Sequence, residues 1–187
     1  MCVGPLANNK TMNRILLLAF SFLVFNGCQS NAQREPIASV AHVDLQRFMG
    51  DWYVLASIPT FIEKEAFNAI ESYRLAPDGT IETTFTFNKG AMDGPAKKYT
   101  PKGFVRDTSS NAIWGMQFVW PVKAEYLIAY LNGDYTQTII ARNKRDYVWI
   151  LTRTPSVPKS EYDALVERTR QMGYDVTLLR RVPQKTQ

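Results

Sequence analysis

The chain has 187 residues, 45% hydrophobic and 12% aromatic, enough for one domain with a sizeable buried core. Its 22 basic and 17 acidic residues leave a net charge of +5, spread along the chain and not gathered into the stripe that nucleic-acid binding needs. Two cysteines, Cys2 and Cys28, and one histidine, His42, all precede the expected domain. That placement excludes a disulfide framework, a Cys/His zinc site of the usual spacing and thiol chemistry inside it, and no metal or cofactor is expected.

Residues 1–27 contain Lys10 and Arg14 but no acid, and without those two bases the net charge falls to +3. After Arg14 the run from Ile15 to Phe25 is apolar but too short to span a bilayer as a stable helix, so it reads as a signal peptide. Met12 stands at the natural start of such a signal. Asn26-Gly27-Cys28 closes the run and resembles a bacterial lipoprotein cleavage site, although Phe25 replaces the usual leucine and Asn26 is larger than usual. The resemblance implies acylation of Cys28 and, because Gln29 and not aspartate follows, sorting to the outer membrane, with the periplasmic side expected. The alternative is an ordinary secretory signal with an incidental cysteine. Residues 28–42, polar and without periodicity, read as a lipidated cysteine and its tether.

From residue 51 onward, short β-branched and aromatic segments alternate with turn residues. Eight strands are expected, at 52–58, 67–75, 80–87, 97–106, 112–119, 125–131, 136–142 and 146–153. The connections Pro77-Asp78-Gly79, 107–111 and Asn132-Gly133-Asp134 are tight, and in an up-and-down meander all three fall at one end. The other connections, 59–66, 88–96, 120–124 and 143–145, share the opposite end, which is then an open mouth. The expected fold is all-β: an eight-stranded antiparallel up-and-down barrel, which leaves no exposed edges and has room for one small ligand. Tyr162, Leu165, Val166 and Thr169 then fall at helical spacing within 159–172, before Gly173. One helix packed outside the barrel is expected, followed by a short final strand at 174–180.

Gly50-Asp51-Trp52 opens the first strand and Arg153 closes the eighth, so both lie at the closed end, where a guanidinium can cover the indole. This pair resembles the signature of the lipocalin family. The family's third mark, near the sixth connection, is weak: Tyr135 is kept, but Asn132-Gly133-Asp134 replaces the usual sequence before it. The runs 44–53 and 146–155 resemble the bacterial outer-membrane lipoprotein branch, which extends to apolipoprotein D, and the similarity covers residues 43–183. Gly50, Trp52 and Arg153 are read as structural, sealing the floor.

With Trp52 and Arg153 facing in, alternation turns Tyr147 and Trp149 inward on the eighth strand. Phe85 and Phe87 face in on the third, Trp114, Met116 and Phe118 on the fifth, and Phe67, Glu71 and Tyr73 on the second. The sixth is ambiguous between a register with Tyr126 inside and one with Leu127 inside. These residues are the candidate ligand-binding set, with a plainly filled core as the alternative. Glu71 is the exception, since a carboxylate in an apolar cavity is costly unless paired, protonated or met by a polar ligand group. Lys64, Lys89, Lys97, Lys98 and Lys123 lie in or beside the open-end loops, either to meet an anionic head group or as ordinary solubilising residues.

The resemblance implies binding, storage or transport of a fatty acid such as palmitate or of a lysophospholipid at the bacterial envelope, without catalysis. Burying a sixteen-carbon chain gains roughly 10–13 kcal/mol. Association costs roughly 4–15 kcal/mol, so a micromolar to sub-micromolar carrier results. The rivals are an enzyme of the same fold acting on a lipid through Glu71 or Tyr73, and a non-binding envelope scaffold. A homodimer is left open. A membrane-spanning barrel is disfavoured, because it would reverse the apolar and polar faces.

Overall fold

The computed structural model describes residues 34–185; the expected signal segment, Cys28 and the first part of the tether lie outside the described residues. A short helix α1 (Leu45–Phe48), capped by Asp44, leads into β1 (Gly50–Ile58). The meander continues with β2 (Ala66–Leu75), β3 (Ile81–Lys89), β4 (Ala96–Tyr99), β5 (Lys102–Val105), β6 (Ile113–Val119), β7 (Val122–Leu131), β8 (Gln137–Ala141) and β9 (Val148–Thr152). Consecutive strands pair antiparallel except β4 with β5, and β1 with β9 closes the cylinder. Helix α2 (Lys159–Gln171) and β10 (Arg180–Arg181) follow. The expected eight-stranded barrel with an outer helix is the observed one.

Three departures have local causes. The expected fourth strand is broken into β4 and β5 at Thr100-Pro101, because proline has no N–H for the ladder. β4 therefore pairs with β3, while β5 bridges β3 and β6. The expected longer loop at 120–124 is a tight hairpin, with Val119 paired to Val122. The expected final strand is mostly a 3-10 turn, Val176–Leu178, because the Asp175 side chain accepts from the Thr177 N–H at 3.0 Å and holds the backbone out of extended form. Only Arg180 and Arg181 pair, with Ser57 and Ala56 of β1.

Two apolar cores share the barrel wall. The inner one includes Trp52, Tyr73, Trp114, Ile128 and Leu151, and the outer one lies between β7–β9 and α2, around Ile139, Ile150 and Leu165. β8 and β9 are buried on both faces, which is why they read as continuous apolar runs. Residues 35–42, expected as the end of a tether, lie along the wall: Ile37 N–H donates to Asn143 Oδ1 at 2.7 Å, Val40 N–H to the Ile128 carbonyl at 2.9 Å, and Val43 N–H just beyond to the Ser110 carbonyl at 2.7 Å. Residues 35–185 thus carry both cores and every described strand, a self-contained folding unit.

The floor is built by one guanidinium. Arg153 Cζ stands 3.8 Å from the centroid of the Trp52 ring, as expected from the signature. Its nitrogens donate to five carbonyls, those of Arg47, Phe48, Met49, Asp51 and Tyr135, at 2.7–3.2 Å. Trp52 Nε1 donates to the same Phe48 carbonyl, and the Tyr135 hydroxyl accepts from the Asp44 N–H. Gly50 has φ +93°, and a Cβ there would sit 3.4 Å from Arg153 Nη1, so glycine serves both the backbone turn and the close approach.

Replacing Arg153 by alanine strands these carbonyls without a donor and is expected to cost roughly 2–4 kcal/mol, measured by urea unfolding. Arg153→Lys recovers only part of that, because an ammonium cannot fork to five acceptors. A loss below about 1 kcal/mol for the alanine variant would refute this account of the floor.

Candidate functional site

Above the floor the barrel encloses a cavity of about 380 Å³, walled by residues of β2, β3, β6, β7 and β9. β3 contributes Thr83 and Phe85, β6 Met116 and Phe118, β7 Val122, Ala124 and Tyr126, and β9 Trp149. The β1–β2 loop folds Phe61, Ile62 and Glu63 over the mouth, and Tyr147 and Arg142 complete the rim on the β8–β9 side. The cavity is of the size and mostly apolar character that small hydrophobic molecules occupy.

Of the residues expected to bind, Glu71, Phe85, Met116, Phe118, Tyr126, Tyr147 and Trp149 line the cavity. Trp114 and Tyr73 do not. They belong to the layer beneath, where Trp114 stacks on Tyr126 at 5.5 Å and meets Tyr73 and Phe48 edge-on. Phe87 is buried in the wall, stacked against Tyr99 at 6.1 Å. Phe67 departs furthest from expectation. Asn68, at φ +49°, forms a bulge between Phe67 and Ile70, so Ala66 and not Phe67 shares the inner phase of Ala69 and Glu71. The Phe67 ring packs instead against the Arg180 guanidinium. The ambiguity in β7 resolves with Tyr126 and Ile128 inside and Leu127 under α2.

Glu71 sits at the base of the cavity in a buried polar cluster. The Tyr73 hydroxyl donates to Glu71 Oε2 and lies against the Tyr126 hydroxyl, which itself stands 3.4 Å from that carboxylate oxygen. Burial pushes the Glu71 carboxyl up to about 7, opposed by the Tyr73 hydrogen bond and reinforced by the nearby Glu63 charge. Both tyrosines are pushed well above their ordinary value, chiefly by burial.

Two further polar groups were not foreseen from the sequence. Glu63, on the mouth loop, is 5% exposed, accepts from Trp149 Nε1 at 2.9 Å and from Thr60 Oγ1 at 2.8 Å, and is raised by burial. It ties the loop to the indole of β9. Arg142 lines the cavity with Nε buried and without a hydrogen-bond partner, 3.5 Å from Asp146. None of the five lysines expected near the mouth lines the cavity; Lys123 lies over the Phe104 ring and Lys89 pairs with Glu65 at 3.9 Å. Arg142 closes the expected seventh strand, and nothing in its spacing marked it as a cavity residue. Glu63 carried no sequence signal, because its burial depends on how the loop folds back.

The raised Glu71 pKa makes the protein's stability depend on pH. Below about 4.5 the carboxyl is protonated folded and unfolded alike, and the fold bears no charge penalty. Between there and about 7 the unfolded chain releases the proton while the folded one keeps it, so stability falls as pH rises, by roughly 3 kcal/mol across the window. Urea midpoints measured across that range are expected to flatten in Glu71→Gln; an unchanged slope would contradict the assignment.

Residues 43–184 match the family model described as a lipocalin-like domain. The protein named temperature-induced lipocalin-1 from Arabidopsis thaliana is 32% identical over 164 residues, covering 81% of this chain and 85% of its own. The Vibrio cholerae protein named outer membrane lipoprotein Blc is 25% identical over 175 residues, covering 92% of this chain and 99% of its own. Insecticyanin from the tobacco hornworm Manduca sexta superposes with a TM-score of 0.63 at 14% identity, covering 81% of this chain and 86% of that one. Lobster apocrustacyanin A1 superposes with a TM-score of 0.60 at 14% identity, covering 76% and 81%. With the indole–guanidinium floor beneath a closed eight-strand cup, this chain belongs to the lipocalin-like family.

Proposed function

We propose that the chain binds, stores or carries a single-chain lipid, a fatty acid or a lysophospholipid, at the bacterial envelope, held there by acylation of Cys28. The observation that carries the ligand reading is the cavity: apolar walls from Phe85, Met116 and Trp149, with the Arg142 guanidinium at its rim, its Nε facing Asp146 at 3.5 Å without a hydrogen bond. An alkyl chain fits the walls, and an acidic head group can hydrogen-bond the half-buried Arg142 guanidinium, which Asp146 pairs only at 3.5 Å. The envelope reading draws on the lipoprotein-like Gly27-Cys28 and on relatives named as outer membrane lipoproteins in Vibrio cholerae, Citrobacter freundii and Escherichia coli.

A binder fits the site better than a lipid-transforming enzyme. Tyr73, the proton donor such an enzyme would need beside Glu71, lies below the cavity with its hydroxyl already engaged by Glu71 and Tyr126. The filled-scaffold reading is disfavoured by the open volume of about 380 Å³.

Titration with palmitate or a palmitoyl lysophospholipid is expected to quench Trp149, which stands in the cavity wall. Arg142→Gln weakens palmitate roughly 10–100-fold, the value of one charge-assisted hydrogen bond, while hexadecanol is nearly unaffected. Equal losses for both ligands would refute the head-group assignment. Met116→Trp, which fills the cavity, is expected to abolish binding of all three. Native mass spectrometry of the protein extracted from its own membrane tests the rest, reading acyl mass on Cys28 and any retained lipid together. Absence of the acyl mass rejects the anchor.

A further inference from the structure

The described residues expose six large apolar side chains, and five of them stand on two loops on opposite sides of the open mouth. Phe61, 80% exposed, is on the β1–β2 loop, and Phe118, Val119, Trp120 and Val122 form the tip of the β6–β7 hairpin, with Trp120 82% exposed. Solitary exposed apolar residues need no explanation, but a contiguous aromatic tip does. Phe61, Phe118, Val119 and Val122 are also cavity-lining residues, so the outer apolar patch runs without a break into the inner one. The exposed cations Lys64 and Lys123 stand on the same two segments, and Lys144 on the β8–β9 loop of the same end.

A second observation points the same end in the same direction. Arg145, in the β8–β9 loop of the open end, donates to the Glu35 carbonyl at 2.7 Å, and Ile37 is tied to Asn143 beside it. The chain therefore enters the barrel at the mouth, not at the floor. Only six residues lie between Cys28 and Glu35, a reach of at most about 25 Å. An anchored Cys28 would hold the mouth close to lipid.

The geometry points to a docking surface for a lipid leaflet: the β6–β7 tip and Phe61 insert into the bilayer interface, and the mouth opens directly onto the membrane. Tryptophan at the tip suits the interface, with its ring in the acyl boundary and its N–H among head groups. The lysines of this end add attraction to anionic lipid. The cavity's occupant can then pass between leaflet and barrel without crossing bulk water, since apolar surface is continuous along the route. This goes beyond the ligand reading, because docking needs neither a bound lipid nor acyl chains.

The test uses residues 35–187, which lack the acyl site, so that binding reports the rim alone. Added to phosphatidylethanolamine–phosphatidylglycerol vesicles, this segment is expected to sediment with them and to show a blue-shifted emission. Trp120 dominates the shift, because Trp52 and Trp114 are fully buried and Trp149 stands in the cavity wall tied to Glu63, and a Trp149→Phe background removes the one remaining contribution. Brominated acyl chains quench it, and acrylamide does so less than in solution. Trp120→Asp lowers vesicle partition roughly tenfold or more. The same variant retains palmitate binding, since Trp120 does not line the cavity. Three results would overturn the proposal: Trp120 staying fully acrylamide-accessible with vesicles present, Trp120→Asp partitioning like the parent, or sedimentation showing a Trp120-dependent dimer with no vesicle association. Failure of palmitate binding with vesicle association intact would instead sink the ligand reading and leave docking standing.

Discussion

Five backbone carbonyls converge on the Arg153 guanidinium, and the barrel's closed end exists because that cation is there. Three come from the α1 turn, one from β1 and one from the β7–β8 turn, so one side chain holds three segments far apart in sequence. The indole of Trp52 covers its face. Carbonyls left facing one another at an apolar floor would repel and lose their water. The arrangement is therefore stable only with a planar cation carrying many donors. Sealing this end also makes the barrel polar in the functional sense, since whatever enters must do so from the other side.

Above that floor the interior changes character by layers. The first layer is aromatic and dry, with Phe48, Trp52, Tyr73 and Trp114 packed ring to ring. The second holds the Glu71–Tyr73–Tyr126 hydrogen bonds, where a carboxyl tolerates burial because it stays protonated further into the neutral range and because a hydroxyl donates to it. Then come the apolar walls, and last a rim where Glu63 and Arg142 lie with Trp149 and Tyr147.

The two ends differ in how their loops are held. At the floor, the side chains of Asp78, Asp107 and Asn132 each accept from backbone N–H groups in their own turns, which keeps those turns short. At the mouth, the longer β1–β2 loop is held chiefly by Glu63, while the β6–β7 tip offers apolar side chains to whatever lies outside. The chain's own entry beside the β8–β9 loop puts its N-terminal approach at this same end.

The spacing of turns, the alternation of strands and the Gly50-Trp52–Arg153 pair were sufficient to specify a closed meander with its floor, because tight-turn chemistry and side-chain parity are local properties that survive in any context. Helix α2 was legible for the same reason, from Tyr162, Leu165, Val166 and Thr169 at 3.6-residue spacing. Parity failed where the backbone inserted a residue: the Asn68 bulge moved Phe67 out of the cavity, and no local signal marks a bulge at an asparagine. Depth was not legible either. Trp114, Tyr73 and Phe87 face inward as alternation requires, yet Phe48 from α1 and Tyr99 from β4 pack around them, so they make floor and wall and do not line the cavity. Glu63, Arg142 and the exposed tip at Trp120 came from tertiary structure alone, since burial of a loop carboxylate and the exposure of an aromatic hairpin depend on which distant segments come to lie beside them.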